Sequence, residues 1–218
     1  MASDWFVRFR PLGAARTRLF CFPYAGGGAA VFRPWAQELP SHVDVCAFQL
    51  PGREARIREP PLSSLEAIVE SAVLAMRQQL DLPFALFGHS MGSVIAFEAS
   101  RRIIDAGLPA PRHVWLSARR APGHSDPDPP LRHLDDDAFV DALARRYGGI
   151  PAAVRADRDL MALLLPGLRA DIAALETHAL HPEPRLACPR SVFGGSADPR
   201  APADQLDGWR ASTIDRFR

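Results

Sequence analysis

Apolar residues follow two rhythms along the first half of the chain. Short unbroken runs occur at Leu19-Phe20-Cys21-Phe22, Val43 to Leu50, Phe84-Ala85-Leu86-Phe87 and Val114-Trp115-Leu116. Between them, apolar residues recur every three or four positions: Phe32, Trp35, Ala36 and Leu39, then Leu65, Ile68, Val69, Ala72, Val73, Met76 and Leu80, then Val94, Ile95, Phe97, Ala99, Ile103 and Ile104. The runs predict strands buried on both faces, and the spaced stretches predict amphipathic helices. Ser63 or Ser64 caps the second helix, with Glu66 in its first turn. Gly107, with Pro109 beyond, ends the third. Strand and helix in alternation predict a parallel sheet with helices on both faces, whose ligands sit beyond the carboxyl ends of the strands. Ala25, Ser90 and the Ser117–Arg120 loop all fall at those ends.

The rhythm breaks at the Pro/Asp-rich segment Pro122 to Pro130. Two helical patterns follow, about Asp135–Tyr147 and Arg158–His178, before Pro182 and Pro184, and no strand pattern lies among them. This is a helical insertion, about 122–185, in a single domain spanning 1–218, and lids over sheet-end sites are built this way. The first pattern resumes with a strand at Arg190-Ser191-Val192-Phe193, ending at Gly194-Gly195, with Asp198 just after. A short helix is expected over Gln205–Ala211, and Phe217 starts a further strand.

Composition narrows the classes. The chain has 218 residues, 47% apolar and 23% charged, with a formal net charge of +1 and no basic block. It reads as a soluble globular domain that does not bind nucleic acid. No run approaches the roughly 18 apolar residues of a membrane span, and Met1 to Trp5 has no leader pattern, so a cytoplasmic protein is expected. All the basic residues are arginine, which reflects codon bias before chemistry. Cys21, Cys46 and Cys188 lie in apolar stretches without C-x-x-C spacing and read as buried free thiols.

The chemistry begins at Gly88-His89-Ser90-Met91-Gly92. A G-x-S-x-G run between a strand and a helix holds its serine on a sharp turn at the end of a sheet, with the hydroxyl exposed. Ser90 is therefore the expected nucleophile. The loop Tyr24-Ala25-Gly26-Gly27-Gly28 follows an earlier strand. Its backbone can approach a substrate closely, and it lacks the G-K-[ST] of a phosphate cradle. With the residue after the serine, it can supply the two N–H donors for a developing oxyanion, here Met91 and Ala25. Asp198, after the strand and the Gly-Gly turn, is the expected acid, with Asp204 as the alternative, in the chain order Ser…Asp…His. No histidine follows Asp198. His89 adjoins the serine with its ring directed elsewhere, and His178 and His181 end the insertion. The general base is thus expected beyond Arg218, where the last strand is also completed. No histidine pair has metal-site spacing.

Together, Phe22-Pro23-Tyr24-Ala25-Gly26-Gly27, Gln49-Leu50-Pro51-Gly52-Arg53-Glu54, Phe87-Gly88-His89-Ser90-Met91-Gly92, Arg119-Arg120-Ala121-Pro122 and Gly194-Gly195 with Asp198-Pro199 resemble the type II thioesterases of polyketide and nonribosomal peptide biosynthesis, which are α/β-hydrolases. The resemblance implies Ser90 as nucleophile, Asp198 as acid, Ala25 and Met91 as oxyanion donors, and a histidine in a Gly-Gly-His-Phe segment after the final strand. It implies a free-standing editing enzyme with no cofactor of its own, and a monomer is expected. Such an enzyme clears stalled acyl groups held on the phosphopantetheine of acyl or peptidyl carrier protein domains. Arg53, Arg119 and Arg120 are then candidates for docking an acidic carrier; the alternative is that they lie in internal ion pairs or on a solvated surface. Two alternatives use the same residues: a serine carboxylesterase of this fold, and a non-catalytic homologue that binds acyl carrier proteins.

Overall fold

A computed structural model of the chain describes residues 5–11, 13–124 and 126–218. Residues 1–4, on which the leaderless reading rests, and Ser125 in the Pro/Asp linker lie outside these. Six strands form one sheet in the order β1-β3-β2-β4-β5-β6. They are β1 (Phe6–Val7), β2 (Thr17–Phe22), β3 (Val43–Phe48), β4 (Phe84–His89), β5 (Val114–Ser117) and β6 (Arg190–Phe193). All neighbours are parallel except β1, which runs antiparallel to β3, pairing Phe6 with Phe48. The α/β-hydrolase layout expected from the sequence is therefore present.

Side-chain alternation explains how the sheet is covered. In β2, Leu19 and Cys21 face one side, where they pack with Val45, Ala47, Ala85, Phe32 and Ala36. Phe32 ends a short 3-10 turn (Ala29–Phe32), and Ala36 lies on α1 (Arg33–Glu38). Phe20 and Phe22 face the other side, against Phe48, Leu86 and the apolar faces of α2 (Leu65–Arg77) and α3 (Met91–Asp105). Phe20 and Phe22 are fully buried, and each such side chain contributes about 1.5–3 kcal/mol. Ser64, rather than Ser63, caps α2 by accepting from the Ala67 amide at 3.4 Å.

Three helices connect β5 to β6: α4 (Asp136–Tyr147), α5 (Ala152–Ala156) and α6 (Arg158–Thr177). α4 is capped by Asp135 and ends at Gly148 in the left-handed conformation, φ 62°. α5 was not expected from the sequence. α6 contains Pro166 in its interior; before the proline only Met161 is buried, whereas Gly167, Ala170, Asp171, Ile172 and Ala174 are buried after it. Leu131, Phe139, Ala142, Leu143 and Ile172 form a small separate core that reaches Ala25 and Leu168. After β6, α7 (Ala203–Asp207) leads into a 3-10 turn over Gly208–Ser212. The last residues lie parallel to β6: the Arg190 amide donates to the Arg216 carbonyl at 2.8 Å, and Val192 to Arg218 at 2.9 Å. Among the described residues, no helix is long and apolar enough to cross a membrane.

Candidate active site

The chain leaves β2 toward β3 on one side of the sheet and returns to β4 on the other. The crevice at the carboxyl ends of β2 and β4 is therefore a topological switch point, where ligands bind in such sheets. Ser90 stands there, between the last residue of β4 and the first of α3. It is not glycine, yet its backbone has φ 52° and ψ −110°. That strained conformation is held from both sides, since the Ser90 amide donates to the Ser117 carbonyl at 2.8 Å and the Ser93 amide to the Ser90 carbonyl at 3.0 Å. The Ser93 hydroxyl donates to the Gly88 carbonyl at 2.9 Å. The turn needs its glycines, because a methyl group on Gly92 would stand 2.0 Å from the Phe22 carbonyl oxygen.

A cavity of about 970 Å³ opens above this turn. Tyr24, Ala25, His89, Ser90, Asp198 and His178 are among the residues that line it, with Leu143, Leu168 and Ile172 from the helices between β5 and β6. It brings together Ser90, Ala25 and Asp198 from three separate loops; Asp204, on the exposed first turn of α7, is not in its wall. Met91 is buried beneath the cavity as the first residue of α3. Among the described residues, neither the Ala25 nor the Met91 backbone N–H has an acceptor. Two unfilled donors beside Ser90, one at the positive end of a 15-residue helix, suit an oxygen that acquires negative charge.

The motif segments hold one another in place. Gln49 accepts from the Ala29 amide at 3.1 Å and donates to the Arg53 carbonyl at 3.2 Å. Glu54 accepts from the Ala30 amide at 3.2 Å. Arg53 is itself buried: it donates to the Gly27 carbonyl at 3.1 Å and forms a two-pronged ion pair with Asp171 of α6, at 2.7 and 2.8 Å. This corrects the candidate role of Arg53 in docking, since its charge is neutralised inside the protein; the internal ion pair is the reading that holds. The sequence pattern does not single out Asp171, although it is buried on α6 with Gly167, Ala170 and Ala174.

Asp198 begins a tight loop after β6: its amide donates to the Gly195 carbonyl at 3.0 Å, and its Oδ1 accepts from the Arg200 amide at 2.8 Å. Arg200 pairs with Asp126 at 2.6 Å and with Asp128, and lies over the Tyr147 ring, fastening this loop to the Pro/Asp linker. Arg120 donates to the Arg200 carbonyl at 2.7 Å. Arg119 also lines the cavity, and burial lowers its pKa below the usual arginine range.

No described histidine is hydrogen-bonded to Ser90; His124 also lines the cavity and is exposed. His89 Nδ1 lies 3.0 Å from the Ser117 hydroxyl and its ring meets Tyr24 edge-on. Burial lowers the His89 pKa, opposed by the charge of Asp198. His178, at the end of α6, places Nε2 3.2 Å from Glu98 on α3. His181 is exposed. Among the described residues, no group of three His, Cys, Asp or Glu could hold a metal ion.

Comparison with known proteins gives the family. The thioesterase-domain family model matches residues 17–218. The gramicidin S biosynthesis protein GrsT of Aneurinibacillus migulanus is 38% identical over 99% of this chain and 84% of its own length. Among solved structures, the RedJ thioesterase of the prodiginine pathway in Streptomyces coelicolor superposes with a TM-score of 0.85 at 39% identity, over 94% of this chain and 76% of that one. The type II thioesterase BorB of the borrelidin biosynthetic cluster superposes at 0.88 with 34% identity, over 100% of this chain and 88% of that one. With its α/β-hydrolase sheet and its match along nearly the whole chain, this protein belongs to the thioesterase family and resembles the type II thioesterases of polyketide and nonribosomal peptide pathways.

Proposed function

We propose that the protein is a free-standing thioesterase that removes stalled or aberrant acyl groups from the phosphopantetheine thioesters of carrier-protein domains. The observation that carries this reading is the strained Ser90 turn in the wall of one cavity with Ala25 and Asp198, where the Ala25 N–H and that of the adjoining Met91 have no acceptor among the described residues. Ser90 Oγ attacks the thioester carbonyl carbon, whose oxygen takes up negative charge facing the Ala25 and Met91 amides. The C–S bond then breaks, the carrier thiol leaves with a proton, and an acyl-serine remains. Water attacks that ester, releases the carboxylic acid and restores the Ser90 hydroxyl. The Ser90 proton, and later the proton of the water, passes to an imidazole oriented by Asp198, the role that the resemblance gives to a histidine in a Gly-Gly-His-Phe segment after the final strand and to none of the described histidines.

A volume of about 970 Å³ is at the upper end of small-molecule sites, which suits an acyl chain on a long arm. The helical segment between β5 and β6, which places Leu143 of α4 and Leu168 and Ile172 of α6 in the cavity wall, acts as a lid that limits the chain admitted. The partner is an acyl or peptidyl carrier protein, met by a monomer of this chain.

The test compares acyl-carrier thioesters with short oxygen esters, using the protein and its Ser90→Ala variant. Thioester hydrolysis is expected to fall to background in the variant. Equal rates for the two would remove Ser90 from the mechanism. Action on short esters alone would point to a carboxylesterase, and carrier binding without turnover to a binding homologue.

A further inference from the structure

The Arg53–Asp171 pair does more than join α6 to the body of the protein. The two residues lie 118 positions apart and both are buried, Asp171 fully. Asp171 Oδ2 accepts two bonds at 2.7 Å, one from Arg53 Nη1 and one from the backbone amide of Gly26. Arg53 Nη1 in turn donates to the carbonyl of Gly27. The peptide groups that follow Ala25 are therefore gripped from two sides, an N–H by the carboxylate and a C=O by the guanidinium. The contact is close because helix and loop each present a glycine there: a methyl group on Gly167 of α6 would stand 3.1 Å from the Gly52 carbonyl oxygen, and one on Gly26 of the loop would meet Leu168 at 2.6 Å. The grip also divides labour within the loop, since Gly26 N–H is occupied by Asp171 while Ala25 N–H has no acceptor among the described residues.

We infer that Asp171 is a positioning residue: from a helix outside the sheet, and together with Arg53, it fixes the loop that presents the Ala25 amide to the oxyanion. The inference rests on the proposed role of Ala25. It makes part of the oxyanion hole depend on where α6 sits. The C-terminal half of α6 belongs to the catalytic frame, and any opening of the roof must occur in the segments that precede it.

A buried carboxylate that loses its role leaves Arg53 unpaired, so a single substitution also destabilises the fold. The decisive variant is Arg53→Met with Asp171→Leu, which removes both charges together and leaves the Gly26 amide without its acceptor. Replacing a buried ion pair by apolar residues of similar volume is often neutral for stability. The expected result is a Tm close to that of the parent with kcat lower by about 10²-fold, the usual scale for a 1 Å misplacement at a reacting centre, and KM within about threefold. Recovery of kcat along with Tm would reduce the pair to a structural role and overturn the inference.

Where the double variant does not fold, Asp171→Asn is read with two ligands sharing one acyl arm, a thioether and its trifluoromethyl ketone. Ser90 adds to the ketone and forms an oxyanion; the thioether forms none. Selective weakening of the ketone, by about tenfold or more, supports positioning, and parallel or absent changes in both overturn it. Ser90→Ala keeps the two levels apart. If that variant hydrolyses thioesters normally, the proposed function fails, whereas if it is inactive and the Asp171 variants behave as the parent, only the positioning role fails.

Discussion

A methyl group on Gly88 would stand 2.0 Å from the carbonyl oxygen of Gly92, four residues along the same turn. The obstacle is backbone on both sides of the nucleophile turn, so it cannot swing aside as a side chain would. Gly88→Ala and Gly92→Ala are each expected to lower stability by about 3 kcal/mol, the upper part of the range for overpacking, and to abolish thioester hydrolysis in what remains folded. Gly13→Ala, where the added methyl meets nothing within 4 Å, is the control and should stay within about 0.5 kcal/mol. Urea melting curves for the three would decide it; a Gly88→Ala curve overlying the control would contradict the packing argument.

The 218-residue chain should respond to added imidazole. His89, His113 and His178 engage Ser117, Ser191 and Glu98, and no described histidine is hydrogen-bonded to Ser90. A general base contributes about 10²–10⁴-fold, and free imidazole entering the open cavity should restore part of this. Hydrolysis of an acyl-carrier thioester should rise with the neutral imidazole concentration, beyond the solution reaction, and should not rise in Ser90→Ala. The same stimulation in both proteins would show that Ser90 is not the group being activated.

The three cysteines should be silent toward thiol reagents in the native protein. All are free and buried. Burial raises the Cys46 thiol to about 12 and the Cys188 thiol to about 11, and lifts Cys21 well above its ordinary value. At pH 8 almost no thiolate exists at any of them, and the thiolate is the reactive form. A chromogenic disulfide should find no fast-reacting thiol before denaturant and three after it. A rapid native phase would contradict the burial of all three.

His89 should titrate below 6.5. Burial is the larger influence and lowers its pKa, and the Asp198 charge works against that. The sign follows: the imidazole is neutral at pH 7 in the folded protein, and as pH falls below 6.5 the unfolded chain takes up the proton first, so stability is lost toward acid. Asp198→Asn should move the midpoint lower still. Proton NMR of the His89 ring would show it, and an upward shift in that variant would break the electrostatic link between the two residues.

Much of the frame was legible because apolar rhythm is a local property. The strands at Leu19–Phe22 and Phe84–Phe87 and the helix from Leu65 were found close to their bounds, since their side chains alternate or recur in step with the element. Phe6–Val7 was missed because two residues among arginines carry no period; they become a strand only by pairing with Ala47 and Phe48. α5 is too short for a pattern. At the site, the sequence marks the turn around Ser90 because its glycines are required by local geometry. It does not mark Asp171. A charged residue in the middle of a helix usually faces water, and the partner that buries it comes from a distant loop. The available signal was its phase, in line with Gly167 and Ala174.

Pro166 has no N–H to give the Ala162 carbonyl, so the hydrogen-bonded ladder of α6 is interrupted at its middle. The two halves then have separate opening energies. Amides of Ala170 to Ala174 lie on buried turns and should exchange with deuterium slowly, near the limit set by global unfolding. Those of Arg158 to Leu165, of which only Met161 is buried, should exchange early and together with α5. With that exchange pattern, one continuous helix in space would be two units in time: a fast hatch and a slow hinge post.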